Sequence, residues 1–187
     1  MALFTSTEFN NFEDLFREQI EDLYDAEHRL TEALPKMADA AHSPQLKRAF
    51  EEHLRETQGH VSRLEQVFRE LNTEPKRTTC AAMKGLVTEG EEMIKAKGDP
   101  DIKDAALIAA AQRVEHYEMS GYGSARAFAR RLGLTQAVSL LQQTLNEEKA
   151  ADEKLNQIAE SSVNPQAAGA TASTTSSAYA GTTRTTR

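Results

Sequence analysis

The sequence predicts an all-α protein, a four-helix bundle with a long crossover connection, and three observations carry that prediction. The strong helix formers Ala, Leu, Glu, Lys, Gln and Arg dominate a chain of 187 residues with only nine Gly, five Pro and no Trp. Four stretches keep apolar residues at helical spacing over roughly 25 residues, enough for about 37 Å each. Between the second and third lies a segment with a shorter, weaker helix, long enough to cross the bundle instead of turning tightly.

Residues 1–10 form a short arm, after which Asn10 or Asn11 caps a helix starting near Phe12. Pro35 is expected to end or kink this first helix, with "PKMADAA" carrying its direction for another turn or two. "HSPQ" at 42–45 is a turn, and the second helix runs from about Gln45 to Leu71. "NTEPKR" breaks the chain, and "CAAMKGLVTEGEEMIKA" forms the extra short helix, closed by "KGDPD" at 97–101. The third long helix extends from near Ile102 to about Arg131. "LGLT" at 132–135 then supplies a Gly stop and a Thr cap, and the fourth helix covers about Gln136 to Glu160. The bundle domain is thus expected over 11–160. The Ser/Thr/Ala-rich tail, 161–187, has too little apolar surface to offset its ordering entropy and is expected to be disordered.

A formal net charge of −7 argues against a nucleic-acid-binding surface and against a polybasic membrane anchor. No apolar run approaches the roughly 18–20 residues of a transmembrane helix. The N-terminus shows no secretory pattern, and the single Cys80 excludes an intrachain disulfide and a built-in Cys₄ iron site. A cytoplasmic location is the expectation.

The helices carry one systematic misfit. With about 100° advanced per residue, each has an apolar stripe, and in each an acid intrudes near the middle. In the first helix the stripe centres on Leu23, and Glu27 lies within it, while Glu21 and His28 point to the far side. In the second, His53 and His60 fall on the stripe and Glu56 on its flank, in the pattern H-x-x-E-x-x-x-H. In the third, Glu115, Glu118 and Tyr122 continue the stripe of Leu107, Ile108, Ala111 and Val114, while His116 points away. In the fourth, Glu148 and Asp152 sit at the centre of the stripe and Glu147 at its edge.

An isolated ionised carboxylate in a dry interior costs more than a domain's whole stability margin. One such Glu could pair with an Arg, but the neighbouring stripe positions hold no Lys or Arg. Two divalent cations resolve the problem, because carboxylate and imidazole are ligands of iron and manganese. The candidate ligands are Glu27, His53, Glu56, His60, Glu115, Glu118, Glu148 and Asp152. Tyr122 and Tyr24 are candidates to hydrogen-bond a ligand from behind. Glu115 is expected to be a fixed ligand. Glu118 is expected to be a shifting one, since the nearby Gly121 and Gly123 would let the backbone yield or pack closely.

"LYDAEHRLTEALPKMADAA", "HLRETQGHVSRLEQVF", "DAALIAAAQRVEHYEMSGYG" and "TLNEEKAADEKL" resemble, in order and over about residues 10–160, the YciE/YciF family of bacterial stress-induced proteins. That family belongs to the ferritin-like superfamily, with rubrerythrins and manganese catalases. The resemblance implies a ferritin-like bundle with a two-metal centre, expression under stress, and a homodimer. The chain departs from the common Glu-x-x-His pairs of the superfamily. Its second helix offers His53 and His60 as alternatives, and its fourth pairs Glu148 with Asp152 and no His.

The expected function is a dinuclear iron or manganese centre reacting with a small oxidant, peroxide or dioxygen, in catalase-, peroxidase- or ferroxidase-like detoxification. The alternative is a non-catalytic metal-binding or scaffold stress protein. No electron-transfer domain accompanies the bundle, which favours peroxide disproportionation or ferrous oxidation over oxygenation of an organic substrate.

Overall fold

A computed structural model describes residues 8–169. Five α-helices follow in order: α1 (Phe12–Ala40), α2 (Pro44–Glu70), α3 (Ala81–Lys95), α4 (Pro100–Leu132) and α5 (Thr135–Ile158). There is no strand among the described residues. Their ends follow capping chemistry. The side chains of Asn11, Ser43 and Asp99 accept backbone N–H groups at the starts of α1, α2 and α4. Pro44 and Pro100 stand in the first turns of α2 and α4, where the missing N–H costs nothing. Gly133 closes α4 in the left-handed conformation at φ 75°.

Pro35 neither ends nor breaks α1, which continues to Ala40. The last helix also runs on: α5 passes into a π-helical turn, Ala159–Val163, and residues 164–169 are helical. Val163 is buried against the end of the core, so the chain from 161 to 169 does not follow the expectation of a disordered tail. Residues 170–187 of that tail, and residues 1–7 of the arm, lie outside the described residues.

The helices form a ring in which α1 packs on α2, α2 on α5, α5 on α4 and α4 on α1, with α3 laid outside against α1 and α4. The crossover can be followed by its hydrogen bonds. Thr78 N–H donates to the Glu21 carbonyl and Cys80 N–H to Asp25, so the connection leaves α2 and docks halfway along α1. It then descends through α3, where Lys36 of α1 meets Glu91. At the far end Asp104 of α4 accepts the N–H groups of His42 and Ser43 in the α1–α2 turn. This places α4 parallel to α2 and antiparallel to α5, the order of a ferritin-like bundle.

Two apolar clusters fill the interior. One, around Leu34, Met37, Leu46, Phe50, Leu107 and Leu155, lies towards the α1–α2 turn. The other, around Phe16, Ile20, Leu64, Phe68, Tyr122 and Leu141, lies at the opposite end. Misfit polar side chains of all four long helices, Glu27, His53, His60, Glu115, Glu118 and Glu148, meet in the gap between them. At the edge of that gap α4 comes close to α1: a Cβ at Gly121 would lie 2.8 Å from Leu23 Cδ2. Gly121 is therefore a packing contact in an unbroken helix and not a place where the backbone yields, while a Cβ at Gly123 would meet nothing within 4 Å.

Candidate metal centre

Six side chains from the four bundle helices meet between the apolar clusters: Glu27 of α1, His53 and His60 of α2, Glu115 and Glu118 of α4, and Glu148 of α5. All six are buried. Their donor atoms form two sets, His53–Glu115–Glu118–Glu148 and Glu27–His60–Glu148, each within 4.8 Å. Glu148 belongs to both. Its Oε1 lies 2.9 Å from His60 Nδ1 and its Oε2 lies 3.9 Å from His53 Nε2, so one carboxylate spans the two positions. Glu115 Oε1 is 3.3 Å from His53 Nε2, and Glu27 Oε1 is 3.3 Å from His60 Nδ1.

These close approaches do not satisfy the groups. Nine buried side-chain nitrogen and oxygen atoms among the described residues lack a hydrogen-bond partner, and only Arg126 Nε is not from these six side chains. The rest are Glu27 Oε2, His53 Nε2, His60 Nδ1, Glu115 Oε2 and both oxygens of Glu118 and of Glu148. His60 Nδ1 is near two carboxylates yet aligned with neither. Buried polar atoms are paired as a rule, and each exception needs an explanation.

Both histidines are anchored on the ring nitrogen facing away from the centre. His53 Nδ1 lies 3.3 Å from Glu56, and His60 Nε2 lies 3.0 Å from Glu147. Glu147 is itself gripped by both guanidinium nitrogens of Arg63, at 2.7 and 2.8 Å. Carboxylate anchors of this kind keep the outer N–H in place, so that an ion displacing the inward proton would meet the inward nitrogen's lone pair. Tyr122 Oη donates to Glu27 Oε1, which leaves Oε2 free to face the centre.

The electrostatics divide the same way. Burial pushes the carboxyl groups of Glu27, Glu115 and Glu118 upward, Glu115 to about 8, with the neighbouring acids adding to the effect. Burial alone would lower the histidines, but Glu115 and Glu56 hold His53 up to about 9, and Glu27 and Glu148 hold His60 up to about 11. The anchors go the other way. The hydrogen bond with His53 lowers Glu56, and the Arg63 fork outweighs partial burial to lower Glu147. The inner acids thus need a proton or a cation, whereas the outer acids are ionised without one.

Six of the eight expected ligands converge: Glu27, His53, His60, Glu115, Glu118 and Glu148. Each histidine offers a ring nitrogen to one of the two donor sets. Glu56 stands behind His53, half-exposed, instead of facing the centre. Asp152 belongs to neither donor set; its carboxylate meets Gln112 at 3.2 Å and the exposed His116 at 3.5 Å. Tyr24 donates to Glu65 at 3.2 Å, away from the centre. Glu147, read from the sequence only as an edge residue, is the anchor of His60, and its Arg63 partner is 84 residues away in the chain. Glu21, read as facing away, is indeed outside the ring but is covered by Lys76 and Thr78 of the crossover.

Comparison with known proteins places this arrangement in a family. The model for Domain of unknown function (DUF892) matches residues 11–168. The chain is 46% identical over 156 residues to Protein YciF of Escherichia coli K12, covering 83% of this chain and 94% of that protein. The chain belongs to the YciF family. The crystal structure of the E. coli stress protein YciF superposes with a TM-score of 0.80 at 44% identity, over 83% of this chain and 99% of that one. YcfI of Rhodopseudomonas palustris gives 0.78 at 42% identity over 82% of this chain and 98% of that one. The YciF-family fold therefore accounts for almost all of the described residues. No helix among them is long and apolar enough to cross a membrane.

Proposed function

We propose that this chain is a stress protein of the detoxifying kind, holding two iron or two manganese ions between its apolar clusters and reacting with peroxide or dioxygen. The observation that carries this reading is the convergence of eight unpartnered buried donor atoms on one place. The charges agree. Four ionised glutamates bring −4, which two divalent cations would cancel; without ions the same acids are held towards their protonated forms by burial.

The donor set suits the proposed ions. Carboxylate and imidazole without thiolate favour iron or manganese, and two adjacent redox-active ions supply the electron exchange with an O–O bond that zinc cannot. Glu27 and His60 would hold one ion, His53, Glu115 and Glu118 the other, and Glu148 both. Around them the protein's own residues orient and exclude. Glu56 and Glu147 keep the imidazoles turned inward, Tyr122 fixes the rotation of the Glu27 carboxylate, and Leu23, Leu64 and Leu145 keep bulk water from one side.

Peroxide consumption by metal-loaded protein, set against the metal-free protein, tests the reading: the loaded sample turns over peroxide and the free one does not. Size in solution tests the competing reading as a store. A dimer is expected, and a shell of many subunits would favour storage instead.

A further inference from the structure

A cavity of about 170 Å³ enters the bundle between α2 and α5. Its floor is His53 and Glu115, and neither Glu27 nor His60 lines it. Exposure agrees with this: His53 keeps 8% of its side-chain surface accessible, and His60 keeps none. The walls are carbon, from Ala49, Ala151 and Leu155 among others, and the small alanines are what leave the space. At the mouth stand Glu56 and the Glu52–Lys154 ion pair, which joins α2 to α5. On the His60 side the corresponding approach is closed by the Arg63–Glu147 fork and the Arg63–Thr144 hydrogen bond.

We infer that this cavity is the entry route for a small, uncharged O–O oxidant, and that it serves the His53 position alone. The inference rests on the metal-centre reading above and adds where substrate arrives and how large it can be. Pockets for drug-sized ligands run to roughly 300–1,000 Å³, so a cavity of about 170 Å³ excludes an organic substrate of ordinary size. Apolar walls offer a charged solute no compensation for lost hydration, whereas hydrogen peroxide or dioxygen carries no charge to desolvate. At the mouth the Glu52–Lys154 ion pair cancels its own charge, and Glu56 is taken up by its hydrogen bond with His53.

Nitric oxide, uncharged and diatomic, is the probe. It is mixed anaerobically with protein loaded with ferrous iron, and the iron-nitrosyl absorbance is followed. Ala151→Leu, or Ala150→Leu on the more exposed rim should the first variant not fold, is expected to slow nitrosyl formation by about tenfold or more by closing the path. Lys154→Ala should leave the rate equal or faster. Two irons per chain and an unchanged melting temperature show that each variant retains its centre. Xenon-pressurised crystals of the unaltered protein should show a xenon atom among Ala49, Ala151 and Leu155, independently of any metal. Equal nitrosyl rates in wild type and the leucine variants, or no xenon in the cavity, would overturn the route. Failure of the wild-type protein to hold two irons would instead overturn the metal centre on which the route depends.

Discussion

At the residue scale, helical angle gave eight candidate donors, and the six that meet in the structure are among them; Glu56 and Asp152 are not in either donor set. It could not settle every position. Asp152, read at the centre of its stripe, turns instead to Gln112 and His116 of α4, and the border residues Glu56 and Glu147 take their roles from His53 and from His60 with the Arg63 fork. This division yields a graded prediction for metal content measured on purified variants. Glu148→Ala should lose both ions, since its two oxygens face both positions, and Glu27→Ala should lose the one shared with His60. Glu147→Ala should keep the site but weaken metal affinity by about 10–100-fold, the usual cost of removing an outer carboxylate. Asp152→Ala and His116→Ala should leave occupancy intact. A metal content that fell with Asp152 and ignored Glu147 would refute the assignment.

At the element scale, the four long helices and the short α3 were readable from periodicity, Pro and Gly, with ends within about two residues except at the C-terminal side, where helical structure runs on to 169. What periodicity could not show was the crossover's route. Glu21 and Asp25 look like solvent-facing acids until residues 76–80 fold over them, and those partners are more than fifty residues away. Tail composition likewise hid Val163, whose burial depends on the end of the bundle being there to receive it. The two glycines of α4 give the test at this scale. Replacing a helical Gly by Ala gains up to about 1 kcal/mol, so Gly123→Ala, with open space around it, should stabilise by roughly 0.5–1 kcal/mol. Gly121→Ala must push against the buried Leu23, and overpacking typically costs about 1–3 kcal/mol, which cancels or exceeds the gain. Denaturant unfolding should therefore rank Gly123→Ala above wild type and Gly121→Ala at or below it. The reverse order would show that α1 and α4 are not in close contact at Leu23.

At the scale of the whole molecule, the proposed centre would couple metal binding to stability, and pH would reveal the coupling by its sign. In metal-free protein, Glu115 is raised from 4.5 to about 8 and His53 from 6.5 to about 9. A raised folded-state value contributes stability at low pH that is lost as pH rises through it, for acid and imidazole alike. Metal-free protein should therefore melt lower at pH 9 than at pH 6, by roughly 5–10 °C for a loss of about 2–3 kcal/mol. Metal-loaded protein should show the opposite slope, because its ligands must be deprotonated and acid releases the ions. Calorimetry across this range checks both; parallel curves would mean that the inner acids are not exposed to each other's charge. The most direct test of the central claim is anomalous scattering from crystals of the metal-loaded protein, with elemental analysis of the same sample. The structure predicts two transition-metal peaks per chain on either side of the Glu148 carboxylate, one beside His53 and one beside His60. No peak between the two apolar clusters, with full loading elsewhere, would contradict it.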